Sequence, residues 1–274
     1  GMGPGTSGQI NSSAGTGDKY NSDFNINYTN DKLNVSVGAN WKDNTQFYNM
    51  DELMETRKDG HKRTNNILFY REQTDKDFGV NITLDYNFNS KNNISYSADA
   101  GYTHFYVDAN FKYDETIENQ IGHTYMKEYL SGALLADYMT NNLTYTYIFN
   151  ENSNWTNSIF YSKINYFMED NQERFYTASD FDINGITPYY KLRYENDNFS
   201  TEIRAKSDYS KTFENGSNLE LGGQYHKYHR YLDLQAENFD YNSDSWRPDA
   251  VFTNEFDFSE QISSAYANLS GKKN

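Results

Sequence analysis

The chain has 274 residues with 39 acidic and 24 basic side chains, giving a formal net charge of -15 and a mean hydropathy of -0.96. Such polarity is typical of disordered chains, but 26 Tyr and 18 Phe are far more aromatic residues than a solvated coil carries. The acidic balance argues against nucleic-acid binding, and the absence of Cys excludes disulfides, Cys-ligated zinc and a thiol nucleophile. No run of about 18 apolar residues is present, which argues against a transmembrane helix.

Apolar and polar residues alternate along most of the chain, which is the period of β-strands with one apolar face. Leu33, Val35, Val37, Ala39 and Trp41, for example, are separated by small or polar residues. The alternation is interrupted by clusters of turn-forming residues. It predicts about ten strands, at 7–14, 20–28, 33–42, 66–88 with a break near Asp75, 93–106, 134–149, 155–167, 199–212, 219–232 and 257–270.

The connections between these strands are of two kinds. Short turns are expected at 29–32, 89–93, 150–154 and 214–218, and long charged loops near 43–65, 107–135, 167–198 and 232–257. This alternation predicts an all-β, antiparallel up-and-down meander with all short turns at one end and all long loops at the other. Outer-membrane β-barrels have that asymmetry, so a partial barrel is expected.

Helix is nearly absent from the pattern. The best helical candidate runs from Gly122 to Met139 and lacks a sustained apolar stripe. No linker divides the chain, so we expect a Gly-rich lead-in with the first strand at 1–19 and one antiparallel barrel segment at 20–274.

The barrel hypothesis also explains the polar composition. A barrel wall needs apolar side chains only at alternate positions and only within the bilayer. Aromatic residues lie near predicted strand ends, where the aromatic girdles of a barrel would lie. The alternative is that Tyr simply favours strands. The residues concerned are Trp41, Phe47, Tyr48, Tyr102, Phe105, Tyr106, Trp155, Tyr166 and Phe167.

Several segments resemble TonB-dependent receptors of the Bacteroidetes type. Residues 5–21, with Gly5-Thr6-Ser7-Gly8 and Gly15-Thr16-Gly17-Asp18, look like the passage from a plug domain into the first barrel hairpin. Each motif is loose, but together they span the chain. The further segments are 84–89, Ser207-Asp208-Tyr209 with 219–223, and 260–271.

The resemblance implies a part of an outer-membrane transporter for nutrient uptake, located in the bacterial outer membrane. The family's barrel has about 22 strands and encloses a plug, and energy reaches it through TonB. This sequence shows no plug, no TonB-contacting segment and about half the strands, so it resembles the N-terminal part of a barrel. The implied partners are the lipid bilayer, the plug domain, the remaining strands, the TonB complex and an unidentified nutrient.

No catalytic or metal-binding constellation stands out. His226 and His229 are three residues apart, which places them on opposite faces of a strand. The carboxylates between Asp233 and Glu260 do not have the spacing of an EF-hand loop, so calcium stays open and a solvated loop is favoured. We therefore expect no enzyme activity, no cofactor and no metal site.

Ligand contacts are expected from loop side chains, because rigid scaffolds carry their binding residues on loops. The candidates are Tyr231, Tyr241 and Trp246, and Trp246 could equally anchor its loop. The alternative function is a secreted or surface-exposed all-β binding module, such as a lectin or adhesin. That module would bury the face carrying Val35 and Val37 against a second sheet, whereas a barrel wall would turn it outward.

Overall fold

The computed structural model describes residues 4–58 and 60–271; Asp59, the first three residues of the expected lead-in and the last three residues of the chain lie outside it. Within these ranges every regular element is a strand. The strands are β1 (Gly5–Gly15), β2 (Lys19–Thr29), β3 (Leu33–Lys58), β4 (His61–Asn89), β5 (Asn92–Ile117), β6 (Thr124–Asn150), β7 (Ser153–Thr177), β8 (Tyr190–Thr212), β9 (Asn218–Asp240), β10 (Ser245–Pro248) and β11 (Asn254–Ser270).

The strands form a single antiparallel sheet in which each strand pairs with the next along the chain, except that both β10 and β11 pair with β9. Among the described residues β1 pairs only with β2 and β11 only with β9, so the sheet is open with two unpaired edges. The expected antiparallel meander is confirmed. No helix of the described chain is long and apolar enough to cross a membrane.

The four short turns are built on asparagine side chains. Asn30, Asn89, Asn150 and Asn215 each accept a hydrogen bond at Oδ1 from a backbone N–H two residues ahead. This arrangement mimics a backbone turn and fixes where each strand reverses. These four turns lie at one end of the sheet, as the sequence indicates, but the three-residue turn at 16–18 between β1 and β2 lies at the other end, so not every short turn is on one side.

The expected long loops are mostly strand, which corrects the sequence interpretation. The segment 43–65 is a hairpin in which β3 and β4 stay paired from Lys42↔Asp77 to Lys58↔His61. The segments 107–135, 167–198 and 232–257 likewise contain the outer halves of β5 to β9, and the short β10 was not expected. In the sequence these stretches resemble loops because they lack apolar alternation, and outside a bilayer neither face of a strand has to be apolar.

Two further expectations are wrong. The helical candidate Gly122–Met139 lies in β6 from Thr124 onward, where it pairs residue by residue with β5 and β7. The expected break near Asp75 is absent, because β4 runs without interruption and Asp75 pairs with Asn44 and Phe105.

The register separates an outward apolar face from an inward polar face. One row of cross-strand partners is almost wholly apolar, and the adjacent row, one residue along each strand, is polar. The apolar row is Tyr28, Val35, Leu84, Tyr96, Leu143, Ile159, Ala205 and Tyr225. The polar row is Thr29, Asn34, Asp85, Ser95, Thr144, Ser158, Lys206 and Gln224.

The apolar side of the sheet is exposed or half-buried, as a lipid-facing wall requires. Val37 is 39% exposed, and among the described residues no second sheet covers it. The packing of a sandwich is therefore not present among the described residues, and the outward orientation of this face stays a prediction. We call the apolar side the outward face and the polar side the inward face, following the alternation of outer-membrane barrels.

The apolar band runs diagonally across the sheet. On β4 the band ends at Phe78, because the next outward residue, Lys76, is charged. The successive cross-strand partners that start from Phe78 end at Tyr231 on β9. On β9, however, the band already ends at Tyr225, before Lys227. From β4 to β9 the upper edge of the band therefore drops by six residues, about 20 Å along the strands, over five strand spacings, about 24 Å across the sheet. This slope corresponds to a strand tilt of about 40°. Outer-membrane barrels have tilts of about 35–45°.

Aromatic side chains border this band on both sides. Trp41, Phe78 and Tyr102 are consecutive cross-strand partners at the upper edge. Tyr147, Trp155 and Tyr209 are consecutive partners near the short turns. On β4 the band runs from Tyr86 to Phe78, close to the roughly 9–11 residues that a tilted strand needs to cross a bilayer. The girdle hypothesis accounts for Trp41, Tyr102 and Trp155.

Candidate functional site on the inward face

The apolar alternation changes face within one continuous strand. On β5, Tyr96, Ala98, Ala100, Tyr102 and Tyr106 face outward, but the apolar run Phe105, Val107, Ala109 and Phe111 faces inward. The change occurs just past the upper edge of the band. Beyond the bilayer, therefore, the inward side of the wall becomes apolar.

These side chains form the floor of a trough across β4 to β7. Leu130 and Leu134 of β6 and Met168 of β7 extend the floor, and Phe69 packs on Phe111 with ring centroids 4.6 Å apart. Ala109 is only 6% exposed. The trough encloses about 310 Å³, at the lower end of the range for small-molecule sites.

Arg71 lies at the β4 end of the trough. Its guanidinium carbon is 5.6 Å from the Tyr48 ring centroid and 5.5 Å from that of Phe105, so it is held between two aromatic rings. The Nη2 group donates to Gln73, while Nε is buried without a hydrogen-bond partner. In the described part of the chain no carboxylate lies within 4.0 Å of this guanidinium.

Asp170 lies at the β7 end of the trough. Its Oδ1 occupies the space that a Cβ on Gly132 would take, so the missing side chain of Gly132 makes room for the carboxylate. The Tyr194 hydroxyl lies 3.3 Å from Met168 Sδ and also within reach of Asp170; we assign its hydrogen bond to the carboxylate, the stronger acceptor. Burial raises the pKa of Asp170 and outweighs the lowering by that bond, and Glu169 raises it further. Across residues 4–58 and 60–271 no Lys, Arg or His pairs with Asp170.

A satisfied polar cluster lies above the trough, toward the hairpin tips. Glu128 is 7% exposed and accepts hydrogen bonds from Arg174 Nε at 3.0 Å, from Gln172 Nε2 and from the Tyr113 hydroxyl at 3.3 Å. Burial, followed by the charge of Glu128, raises the pKa of Tyr113 to about 12. All of these groups have partners, so the cluster holds β5, β6 and β7 in position rather than offering a free charge.

A larger hollow of about 500 Å³ lies on the outward side of the same hairpins. Lys112 and Lys127 line it, and the β7–β8 connection covers them from one side: the Lys112 ammonium is 5.6 Å from the Phe181 ring centroid, and Lys127 Nζ donates to the Phe181 carbonyl. It is broader than the trough, but its lining mixes Met50 and Leu68 with charged and amide side chains, so the more uniformly apolar trough is the better candidate site.

The residues singled out from the sequence lie elsewhere. Tyr241 and Trp246 both pack edge-on against Phe239, with centroids 5.0 and 5.4 Å away, and the Arg193 guanidinium carbon lies 4.5 Å above the Trp246 ring. Tyr231 stacks with Phe199 instead, eight residues and therefore about 26 Å along β9 from Phe239. All of these lie on the outward face, and their role as ligand contacts stays a prediction.

The histidines lie as the spacing indicates. His226 Nε2 is 3.0 Å from Glu202 Oε1, whereas His229 Nε2 is 2.8 Å from Asp257 Oδ1 on the opposite face. Within the described ranges, no three His, Asp or Glu side chains are grouped as metal ligands would be.

The trough was missed because β5 was expected to end at residue 106 and β6 to begin at 134. The signal that reveals it is the phase change itself: the odd-numbered residues Phe105, Val107, Ala109 and Phe111 continue the alternation after the even-numbered Tyr102. Phe105 was assigned to a girdle, but it faces inward and belongs to the trough.

Comparison with known proteins supports the barrel. A family model described as the outer membrane protein beta-barrel family matches residues 150–274, from the end of β6 through β11. This match confirms the expected location in the bacterial outer membrane, with the lipid bilayer around the outward face. No curated protein matches the sequence.

Solved structures give only faint likenesses. OpdK of Pseudomonas aeruginosa, solved with vanillate, has 8% identity and a TM-score of 0.11, with 97% of each chain covered. OccK10 (OpdN) of the same organism has the same identity, coverage and TM-score. At such TM-scores these likenesses carry no argument.

Proposed function

We propose that this chain is part of a TonB-dependent outer-membrane receptor for nutrient uptake, to which it supplies barrel wall and the ligand-contacting interior above the bilayer. The coarser statement, a transport-related outer-membrane β-barrel, follows from the family match. The TonB-dependent mechanism rests on the resemblance of segments 5–21, 84–89, 207–223 and 260–271 to such receptors.

The observation that carries the proposal is the length of the strands. β3 to β9 have 23 to 29 residues, whereas about 9–11 are enough to cross a bilayer. The excess lies entirely at the end opposite the short turns, which in outer-membrane barrels is the extracellular side. Paired strands of this length extend the barrel wall well beyond the bilayer, and the inward side of this extension carries the trough.

The proposal requires further partners. The unpaired edges of β1 and β11 are completed by the remaining barrel strands, and a plug fills the lumen, where polar residues such as Asn25, Asn81 and Asp99 face inward. Nothing in this scheme calls for catalysis, and we propose a non-enzymatic role.

The test is growth of the source bacterium on a panel of single nutrient sources. A deletion of the encoding gene and a deletion of tonB should both abolish growth on the same source, and the gene on a plasmid should restore it only when TonB is present. Growth restored without TonB would show passive passage and contradict the proposal. Fractionation of the same strains checks that the protein is in the outer membrane.

A further inference from the structure

The trough has unpaired charges of opposite sign at its two ends. Arg71 at the β4 end has a buried Nε without an acceptor, and Asp170 at the β7 end has no cation, within residues 4–58 and 60–271. Elsewhere in the described sheet such charges are commonly paired across strands, as for Lys42 with Asp77 and Arg174 with Glu128. A ligand that supplies an anion to Arg71 and a cation to Asp170 would compensate both.

The distance between these ends sets the length of the ligand. Arg71 pairs through Ala109 and Leu130 with Gln172, two residues from Asp170. Three strand spacings across and two residues along place the two backbones about 16 Å apart. The charged groups are closer together than the backbones, because the Asp170 carboxylate lies over Gly132 of β6 and the Arg71 guanidinium lies beside Gln73 and the Phe105 ring. Two residues of extended peptide span about 7 Å, which fits between the two charged groups.

The floor between the charges determines what can lie there. Phe105, Val107, Phe111, Leu130 and Leu134 offer apolar surface and hardly any side-chain hydrogen-bonding groups. A sugar would leave its hydroxyls without partners on such a floor, at a cost of about 1–3 kcal/mol for each buried group. Apolar side chains lose no hydrogen bonds there and gain from burial, and the amide groups of a peptide can stay in water on the open side of the trough.

We propose that the trough binds short zwitterionic peptides with apolar side chains, with the terminal carboxylate at Arg71 and the terminal ammonium at Asp170. The guanidinium presents a planar pair of donors to a carboxylate. Gly132 is part of the site, because only a residue without Cβ leaves the Asp170 carboxylate in its position. The inference rests on the proposed function in that it names the substrate class of the same barrel, but binding is measured without transport.

The test uses the protein purified from outer membranes in detergent, with isothermal titration of the dipeptide Leu-Val. The N-acetylated and the C-amidated forms of the same peptide each lack one terminal charge. We expect each form to bind about tenfold more weakly or worse, as the loss of a charged hydrogen bond requires. If acetylation has no effect, Asp170 is not the ammonium site, and if amidation has no effect, Arg71 is not the anion site; either result overturns the proposal.

Variants test which residue binds which end of the peptide. Arg71→Gln should remove the effect of amidation, Asp170→Asn the effect of acetylation, and Gly132→Ala should weaken binding by displacing Asp170. The matched controls Arg57→Gln, Asp51→Asn and Gly223→Ala should bind as the wild type does; a Cβ at Gly223 meets only Ser264 O, at 3.5 Å. Circular dichroism checks that each variant is folded, and Arg71→Lys, which keeps the charge, provides a second test of that end.

The outcomes separate this inference from the proposed function. Dipeptide binding without TonB-dependent growth would contradict the proposed function and leave the site standing. TonB-dependent growth without dipeptide binding would overturn the site and leave the proposed function standing.

Discussion

Arg174 Nε lies 3.0 Å from Glu128 Oε2, yet the two side chains differ in exposure: 42% for Arg174 and 9% for Glu128. The pair is therefore asymmetric. Arg174 can turn into water if its partner is removed, whereas Glu128 would remain buried with only Tyr113 and Gln172 as donors.

This asymmetry predicts unequal effects of the two neutralising substitutions. Arg174→Gln should destabilise the outer part of the β6–β7 hairpin by about 1–3 kcal/mol, because a buried charged acceptor loses its cation. Glu128→Gln should cost less. Hydrogen exchange measured by mass spectrometry on peptides from 124–135 gives the local stability of both variants; a larger loss for Glu128→Gln would contradict the assignment.

The raised pKa of Tyr113 predicts a loss of stability at alkaline pH. Its pKa is about 12 in the folded protein against 10 for a free tyrosine, so the folded state holds the proton more tightly. The resulting stabilisation is complete below pH 10 and disappears as pH rises through about 12. We expect the thermal midpoint to fall over this interval, and to fall less in Tyr113→Phe. Tyr194, whose pKa burial also raises to about 12, contributes in the same direction and is tested separately as Tyr194→Phe.

The diagonal band predicts which substitutions destabilise the protein in a membrane. Ile82 faces outward near the middle of the band on β4, and Thr83 faces inward beside it. Ile82→Arg should reduce the free energy of unfolding from lipid vesicles by about 2–4 kcal/mol, since it places a charge in hydrocarbon. The matched control Thr83→Arg faces the polar side and should have little effect. Equal effects would mean that the two faces are wrongly assigned.

Two glycines on the inward face predict different responses to the same substitution. A Cβ at Gly101 would overlap the backbone carbonyl oxygen of Phe78, which cannot move without breaking the sheet. A Cβ at Gly79 would come 2.6 Å from Asn40 Oδ1, which is a side chain. Gly101→Ala should therefore lower stability by more than the roughly 1–3 kcal/mol of ordinary overpacking. In a thermal unfolding assay, the second change Asn40→Ala should largely restore the stability lost in Gly79→Ala. Tyr138→Phe should not restore the stability lost in Gly101→Ala.

The fold was predictable within the bilayer and less so above it. Contact with lipid requires apolar residues at every second position of a strand. The segments Leu33 to Trp41 and Phe78 to Tyr86 therefore show the period of a strand in the sequence alone. Above the bilayer, water faces the outward side, and residues such as Asp51, Glu52 and Glu55 on β3 have no apolar period. Pairing with β4 keeps this segment extended, and pairing is a property of two segments that neither shows by itself.

The trough was hidden for a related reason. Phe105, Val107 and Phe111 were visible as apolar residues, but the side on which they lie depends on the register with Arg71 and Leu130, which belong to the neighbouring strands β4 and β6. The charges at its ends gave no signal at all, because Arg71 and Asp170 stand among many charged residues in the sequence.

The slope of the apolar band has a consequence for the shape of the mouth. β3 continues about 17 residues past Trp41 and β9 about 15 residues past Tyr225, although the two strands leave the bilayer at different registers. With a tilt of about 40°, both tips rise roughly 40 Å above the lipid. The tips of the β3–β4 and β9–β10 hairpins thus lie at about the same height, whereas the β1–β2 hairpin ends only three residues above the level of Trp41. The rim of the sheet is therefore lower on the β1 side than over β3 to β9.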